Sequence, residues 1–293
     1  MTGICTGRVV VVTGAGRGLG RAHAIAFAAE GAKVVVNDLG AGLDGAGASA
    51  GPAADVVAEI RAGGGAAVPH GGDITTAEGA ASLIATALDT YGRLDTLVNN
   101  AGFLRDRMLV NLTEDDFDAV VRVHLKGHFL PLRAAAAHWR AEAKAGRPAE
   151  ARVVNTTSGA GLLGSVGQAN YAAAKAGIVG LTLVAAAELG RYGVLVNAIA
   201  PAARTRMTEH TFADLAALPE DVSPLVVWLG SADSAGVTGR IIESEAGRLT
   251  VMRGWQPGPT ADSATRRTPS AAGSALRTLL ARAAEPGKVY GAG

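Results

Sequence analysis

The chain has 293 residues, of which 48% are hydrophobic and 18% charged, enough apolar material for one large core or two small ones. A net charge of +1 excludes bulk attraction to nucleic acid or to an anionic membrane, and neither partner is expected. Cys5 is the sole cysteine, which excludes an internal disulfide and a thiolate metal cluster and suits a reducing, cytoplasmic setting.

The first residues run straight into a strand-like segment and lack the charged-then-apolar order of a signal peptide. Residues 8–13 form a β-branched run, the pattern of a strand buried on both faces. A glycine turn follows at once, with Arg17 and Leu19 set among Gly14, Gly16, Gly18 and Gly20. An Ala-rich helix is expected over 21–30, stopped by Gly31, and a second buried strand over 33–38. Strand, glycine turn, helix and strand make a βαβ unit.

Glycines at that turn let backbone N–H groups approach a phosphate at the positive end of the next helix. Asp38 stands at the end of the second strand, about 20 residues on, where a carboxylate accepts the ribose hydroxyls of adenosine and repels a 2′-phosphate. This selects NAD over NADP. Arg17 is the one group in the turn that would meet a 2′-phosphate, and Asp38 is expected to outweigh it.

A long Gly/Ala/Asp loop spans 39–51, and helices are expected over 52–61 and 77–91. Strands are expected over 66–69 and 94–99, the latter running into Asn100, Ala101 and Gly102. The alternation implies an α/β, Rossmann-type doubly wound parallel sheet with helices on both faces. Ligands of such sheets lie beyond the carboxyl ends of the strands, where Gly14, Asp38, Asp73 and Asn99 fall. Thr113 caps the next expected helix, which carries His124 and His128 four residues apart. No third ligand accompanies them, and no metal is expected.

Residues 151–158 form a fifth expected strand that delivers Ser158 to the same rim. Tyr171 and Lys175 then stand four apart at the start of a helix, so they share a face. An ammonium beside a phenol favours phenolate, which would make Tyr171 a proton donor or acceptor near neutral pH. A sixth strand over 193–201, a polar lid-like segment over 201–218, a helix through 224–229 and a last strand over 240–243 complete the domain, 1–254. No apolar run is expected to reach the ~20 residues that span a bilayer. Residues 255–293 read as a linker and a short amphipathic helix, started by Thr268 and Pro269, with an apolar stripe of Leu276, Leu279, Leu280 and Ala283 and a stop at Pro286.

Residues 13–20, Asn99 to Gly102, Ser158 and the Tyr171/Lys175 pair together resemble, in order over about residues 8–250, the signature set of the classical short-chain dehydrogenases/reductases. Residues 36–40, 104–108, 123–127, 167–171 and 224–229 resemble more narrowly one branch of that family. It is the (3R)-hydroxyacyl-CoA dehydrogenase domain of the peroxisomal type 2 multifunctional enzymes, also called 17β-hydroxysteroid dehydrogenase type 4. The downstream hydratase and carrier domains of that branch have no counterpart here, so a stand-alone relative is expected.

The resemblance implies roles residue by residue. Tyr171 is the general acid/base, Lys175 lowers its pKa and holds the nicotinamide ribose, and Ser158 hydrogen-bonds the reacting oxygen. Asp73 and Ile74 border the adenine, Leu39 follows Asp38 along it, Asn99 to Gly102 line the cofactor, and Pro201 to Thr205 hold the nicotinamide amide. His124 stands where the classical family has a relay asparagine and is kept as a candidate to relay a proton or hold a water. Pro201-Ala202 replaces the classical Pro-Gly, and the stretch to Met207 is one residue short. A homodimer or homotetramer is implied.

The expected activity is NAD-dependent oxidation of a secondary alcohol, the substrate a (3R)-3-hydroxyacyl-CoA or a 17β-hydroxysteroid. Arg105, Arg107, Arg204 and Arg206 are cations near the rim that could meet coenzyme A phosphates or serve equally as ion-pair or subunit contacts. The alternatives are an NADPH-dependent reductase of 3-oxoacyl carrier-protein thioesters and a non-catalytic NAD-binding regulator.

Overall fold

The computed structural model describes residues 3–42, 45, 47–204, 217–285 and 287–291. Within them, β1 (Val9–Thr13), β2 (Lys33–Asn37), β3 (Ala66–His70), β4 (Thr96–Asn99), β5 (Ala151–Thr156), β6 (Val194–Ala202), β7 (Ile241–Glu245) and β8 (Arg248–Val251) form one sheet. Their order is β3-β2-β1-β4-β5-β6-β7-β8. Every pairing is parallel except β7 with β8. The β-branched strands were expected to be buried on both faces, and β1 shows why: Val10 and Val12 enter one apolar cluster while Val9 and Val11 enter the other.

Helices α1 (Gly18–Ala29), α2 (Gly51–Ala62) and α8 (Pro219–Gly230) supply the first cluster, with Phe27, Val56 and Val226. Helices α3 (Ala77–Tyr91), α5 (Gly127–Lys144) and α7 (Ala169–Leu189) supply the second, with Leu83, Trp139 and Ala185. The strand order reverses direction at β1 and β4, and the crevice of a doubly wound sheet opens there.

Several expected elements differ. Helix α1 starts at Gly18, inside the glycine turn, so its free N–H groups face the crevice. The helix expected to carry both histidines is three pieces: α4 (Glu114–Val121), a π-helical turn (Arg122–Lys126) and α5. Thr113 caps α4 as expected, accepting from the Asp116 N–H. A short α6 (Gly159–Leu163) and the strand β8 have no counterpart in the sequence reading. The expectation that no apolar run could span a bilayer is corrected for α7. Residues 169–192 are long and apolar enough by length and composition alone, an 18-residue stretch of them holding few of the charges Lys175, Glu188 and Arg191. Of the expected lid over 201–218, residues 205–216, including Thr205, Arg206 and Met207, lie outside the described residues.

In the tail, Thr268 caps α9 (Pro269–Leu280), accepting from the Ala271 N–H. The apolar stripe does not dock: no residue of α9 is buried, and Leu276 and Leu280 are 55% and 62% exposed. The helix also ends at Leu280, ahead of the expected stop at Pro286, a residue outside those described.

Candidate active site

The glycine turn follows from two close approaches. Gly14 has φ +63°, and a Cβ there would stand 2.7 Å from the Ala101 Cα. A Cβ on Gly20 would stand 2.2 Å from the Gly14 carbonyl oxygen and 2.5 Å from the Asn100 amide. Only bare backbone lets β1 and β4 end side by side. Thr13 ties them: its Oγ1 accepts from the Asn100 N–H at 2.9 Å and the Ala101 N–H at 3.2 Å.

Asp38 closes the same turn. Its carboxylate accepts from the Gly16 N–H and the Gly40 N–H, each at 2.7 Å. A Cβ on Gly16 would stand 2.8 Å from that carboxylate. Arg17 reaches away from the turn, donating to the Ala41 carbonyl at 3.2 Å. Asp73 accepts from the Thr75 N–H at 2.8 Å, and Arg122 donates to the Thr75 hydroxyl at 3.3 Å.

One cleft joins these groups to the far side of the sheet. Its walls include Gly14, Arg17, Gly18, Leu19, Asp38, Leu39, Asp73, Ile74, Asn100, Ala101, Gly102, His124, Tyr171, Lys175 and Pro201. Asn37, Phe103, Thr156 and Arg122 also line it and were missed by sequence reading, since nothing in their local pattern marks a site.

Asn99 is corrected: it is fully buried and turned into the sheet, where its amide donates to Asn155 Oδ1 at 2.9 Å. Strand alternation explains this, because the side chain before the loop points into the layer while the loop after it meets the cleft. Gly16 and Gly20 shape the turn from behind the cleft walls.

The other end of the cleft is built by β5 and α7, with Thr156, Thr157, Tyr171 and Lys175 in its walls, while Ser158 and α6 stand just outside that lining. Ser158 follows β5 and caps α6, its Oγ accepting from the Ala160 N–H at 3.2 Å. Tyr171 sits in the first turn of α7, and Lys175 Nζ stands 5.5 Å from its ring centroid. The ammonium donates to the Thr156 carbonyl at 2.6 Å.

The expected depression of the Tyr171 pKa is corrected. Burial raises the phenol above its ordinary value, as does Asp106, while the Ser158 side chain draws it down. Burial also lowers Lys175 to about 7, so its cation is weakened where the spacing alone had counted it whole.

His124 meets Tyr171 edge-on, with ring centroids 5.1 Å apart. Its Nε2 lies 2.7 Å from the Phe103 carbonyl oxygen and 3.1 Å from the Phe103 N–H, and its buried Nδ1 has no partner. Burial, then the Lys175 charge, lower its pKa to about 3, so the ring is neutral at neutral pH. Gly102 is what admits it, since a Cβ there would lie 2.0 Å from the His124 ring. His128, four residues on, is fully buried, with the backbone carbonyls of His124 and Asn99 near its ring but no close hydrogen bond to either nitrogen. A π-helical turn over Arg122–Lys126 carries His124, and α5 carries His128.

Arg105 and Arg107 both pair with Asp116, at 3.6 and 2.7 Å.

The chain matches the model of the short chain dehydrogenase family over residues 8–216. Hydroxyacyl-CoA dehydrogenase ChsB1 of Mycobacterium tuberculosis is 50% identical over 262 residues, covering 84% of this chain and 80% of the relative. The peroxisomal multifunctional enzyme type 2 of Mus musculus is 46% identical over 253 residues, 85% of this chain but only 33% of that protein. The chain therefore spans about a third of the length of the mouse relative. A crystal structure of a short chain dehydrogenase from Mycobacterium avium is 60% identical and superposes with a TM-score of 0.92, covering 99% of this chain and 100% of that one. With one cleft, a glycine turn at its floor and a tyrosine and lysine at its far end, this chain belongs to the short-chain dehydrogenase family, nicotinamide-dependent oxidoreductases acting on CH–OH donors.

Proposed function

We propose that the chain oxidises the 3-hydroxyl of a (3R)-3-hydroxyacyl-CoA to the ketone, with NAD as hydride acceptor. The observation that carries this reading is the single cleft with Asp38 at one end and Tyr171 with Lys175 at the other. The residues fit a dinucleotide. Gly14 and Gly18, both at positive φ, line the cleft beside the N-terminus of α1, where no side chain caps the helix and backbone N–H groups can receive a pyrophosphate. Asp38 keeps lone pairs beyond those given to Gly16 and Gly40, and its charge opposes a 2′-phosphate. The acyl-CoA class is supported by the name of the mycobacterial relative, a hydroxyacyl-CoA dehydrogenase.

The nicotinamide, when bound, supplies the hydride acceptor. Tyr171 takes the hydroxyl proton as the carbon–oxygen double bond forms, for which its phenol must first ionise against the burial that raises its pKa, the Ser158 hydrogen bond drawing it the other way. The Ser158 hydroxyl holds the reacting oxygen, and Lys175 supports the phenolate and the nicotinamide ribose. His124 offers its unpartnered Nδ1 to a water on the proton path. Thr205, like Pro201, is assigned to the nicotinamide amide.

The test is NADH formation across short-chain, long-chain and steroid-side-chain 3-hydroxyacyl-CoAs and free 17β-hydroxysteroids, with NAD and NADP compared. Turnover of acyl-CoAs with NAD at least about tenfold preferred is expected. Tyr171→Phe should lower kcat by ~10²–10⁴-fold, the range of general acid–base catalysis, and leave the NADH dissociation constant within about twofold. Retained turnover would sink the mechanism, and a preference for NADP would sink the reading of Asp38.

A further inference from the structure

The last described residues return to the site after a long exposed excursion. The Tyr290 N–H donates to the Gly164 carbonyl at 3.2 Å, and the Val166 N–H donates to the Tyr290 carbonyl at 2.9 Å. Ser165 and Tyr290 thus form a parallel bridge. The loop they join runs from α6, which Ser158 caps, to α7, which carries Tyr171. Its other side is held by a second bridge, Arg107 to Gln168, with the Arg107 N–H donating to the Gly167 carbonyl at 2.8 Å.

The tip of Tyr290 lies on the residue after Ser158. A Cβ on Gly159 would stand 2.7 Å from the Tyr290 hydroxyl and 2.9 Å from its ring. Glu243 and Glu245, at the end of β7, are near enough to add to burial in raising the Tyr290 phenol. Tyr290 therefore lies between α6 and the carboxyl end of β7, outside the cleft walls but one residue from Ser158. Beside it, Leu163, Val166 and Val289 remain 37%, 46% and 40% exposed. Tyr290 rests on Gly159, the residue after Ser158, and Leu163 lies on α6, which Ser158 caps, so an apolar group extending from an oxygen held at Ser158 is the occupant that would meet these side chains.

We propose that Val289 and Tyr290, with Leu163 and Val166, form the wall that receives the apolar acyl chain, making the tail a determinant of acyl length. Tyr290 is on this account a positioning residue, acting by ring surface and not by its hydroxyl. The proposal rests on the acyl-CoA reading above.

The experiment compares the full chain, a chain ended after Glu285, Tyr290→Ala and Tyr290→Phe. Each is assayed with a short and a long 3-hydroxyacyl-CoA, alongside NADH affinity by fluorescence and oligomeric state by sedimentation. The shortened chain and Tyr290→Ala should lose about tenfold in kcat/KM for the long substrate, carried by KM, the scale of one or two methylene contacts. The short substrate and NADH affinity should stay within about twofold, and Tyr290→Phe should match the full chain. Equal effects on both substrates, or no effect on either, overturn the proposal. So does a change of oligomeric state that lowers both alike, which would make the patch a contact between copies. If the full chain turns over no hydroxyacyl-CoA, the acyl-CoA reading itself has failed, and the proposal falls with it.

Discussion

Lys175 is 2% exposed, and its buried ammonium donates to the Thr156 carbonyl at 2.6 Å. Burial lowers its pKa from 10.5 to about 7. Between those two values the unfolded chain binds a proton that the folded chain does not. Stability therefore rises as pH climbs through that window, and the full penalty is felt at and below pH 7. Lys175→Met should stabilise the ligand-free protein at pH 7 by ~1–3 kcal/mol, because removing a desolvated charge relieves its burial cost. The gain should shrink toward pH 10. Thermal melts of both proteins at the two pH values check this, and a Met variant that melts lower at pH 7 would contradict it. The spacing of Tyr171 and Lys175 was legible in the sequence, as were Ser158 and Asp38. The direction of the Tyr171 shift was not, since spacing brings the charge near but does not say how little water surrounds it.

At the level of elements, α7 carries the catalytic candidates on one face and an exposed apolar stripe on the other. One face packs on β6 and presents Tyr171 and Lys175 to the cleft. The opposite face leaves Ala173, Ala176, Gly180, Leu183, Val184 and Ala187 exposed, a stripe at helical spacing made of small and aliphatic residues. Phe129 of α5 and Phe117 of α4 are 43% and 40% exposed. Small side chains let two helices approach within ~8–10 Å. The reading of this face is contact with a second copy, consistent with the oligomer implied by the family resemblance. Sedimentation at about 10 µM should give a dimer or tetramer, and Gly180→Arg with Leu183→Arg should give a folded monomer by circular dichroism. A wild-type monomer at that concentration removes the idea.

The elements the sequence did not yield share a physical cause. Helix α6 is five residues of Gly, Ala and Leu, too short to show a period. The turn before β8 uses Ala246 at φ 44° and Gly247 at φ 83°, a left-handed pair that Asn-Gly would have announced and Ala-Gly does not. The π-helical turn at His124 leaves no mark in composition. At the scale of the chain the same limit applies to the tail: its helix and cap were legible, but the docking of Tyr290 depends on a bridge to Ser165, far away in sequence.

The whole molecule places neutral histidines in both layers of the sandwich. His23 joins α1 to α8 through Ser223, at 2.9 Å, on one side of the sheet, while His124 and His128 lie along the helices of the other. Among the described residues these three histidines are fully or almost fully buried, at 0%, 1% and 0% exposure. Burial holds His23 and His124 at about 3 and His128 well below the ordinary value of 6.5. Each has a folded pKa below its unfolded one, so the unfolded chain takes up protons first as pH falls. The stability these groups permit is complete above pH 6.5 and drains away from there toward pH 3. Three groups give a limiting slope of about 4 kcal/mol per pH unit. Integrated from pH 7 to pH 5, the loss is about 6 kcal/mol, comparable with the ~5–15 kcal/mol total of a typical folded domain. Carboxylates, with unfolded values near ~4, contribute little in that interval, while His70, also lowered by burial, and the end of the Lys175 titration add in the same direction. Urea unfolding at pH 7, 6 and 5 should show the midpoint falling with increasing steepness and the cooperative transition preserved, since both layers titrate together. A midpoint that stays level between pH 7 and pH 5 would show that at least one of these rings is already charged, or reached by water, in the folded state.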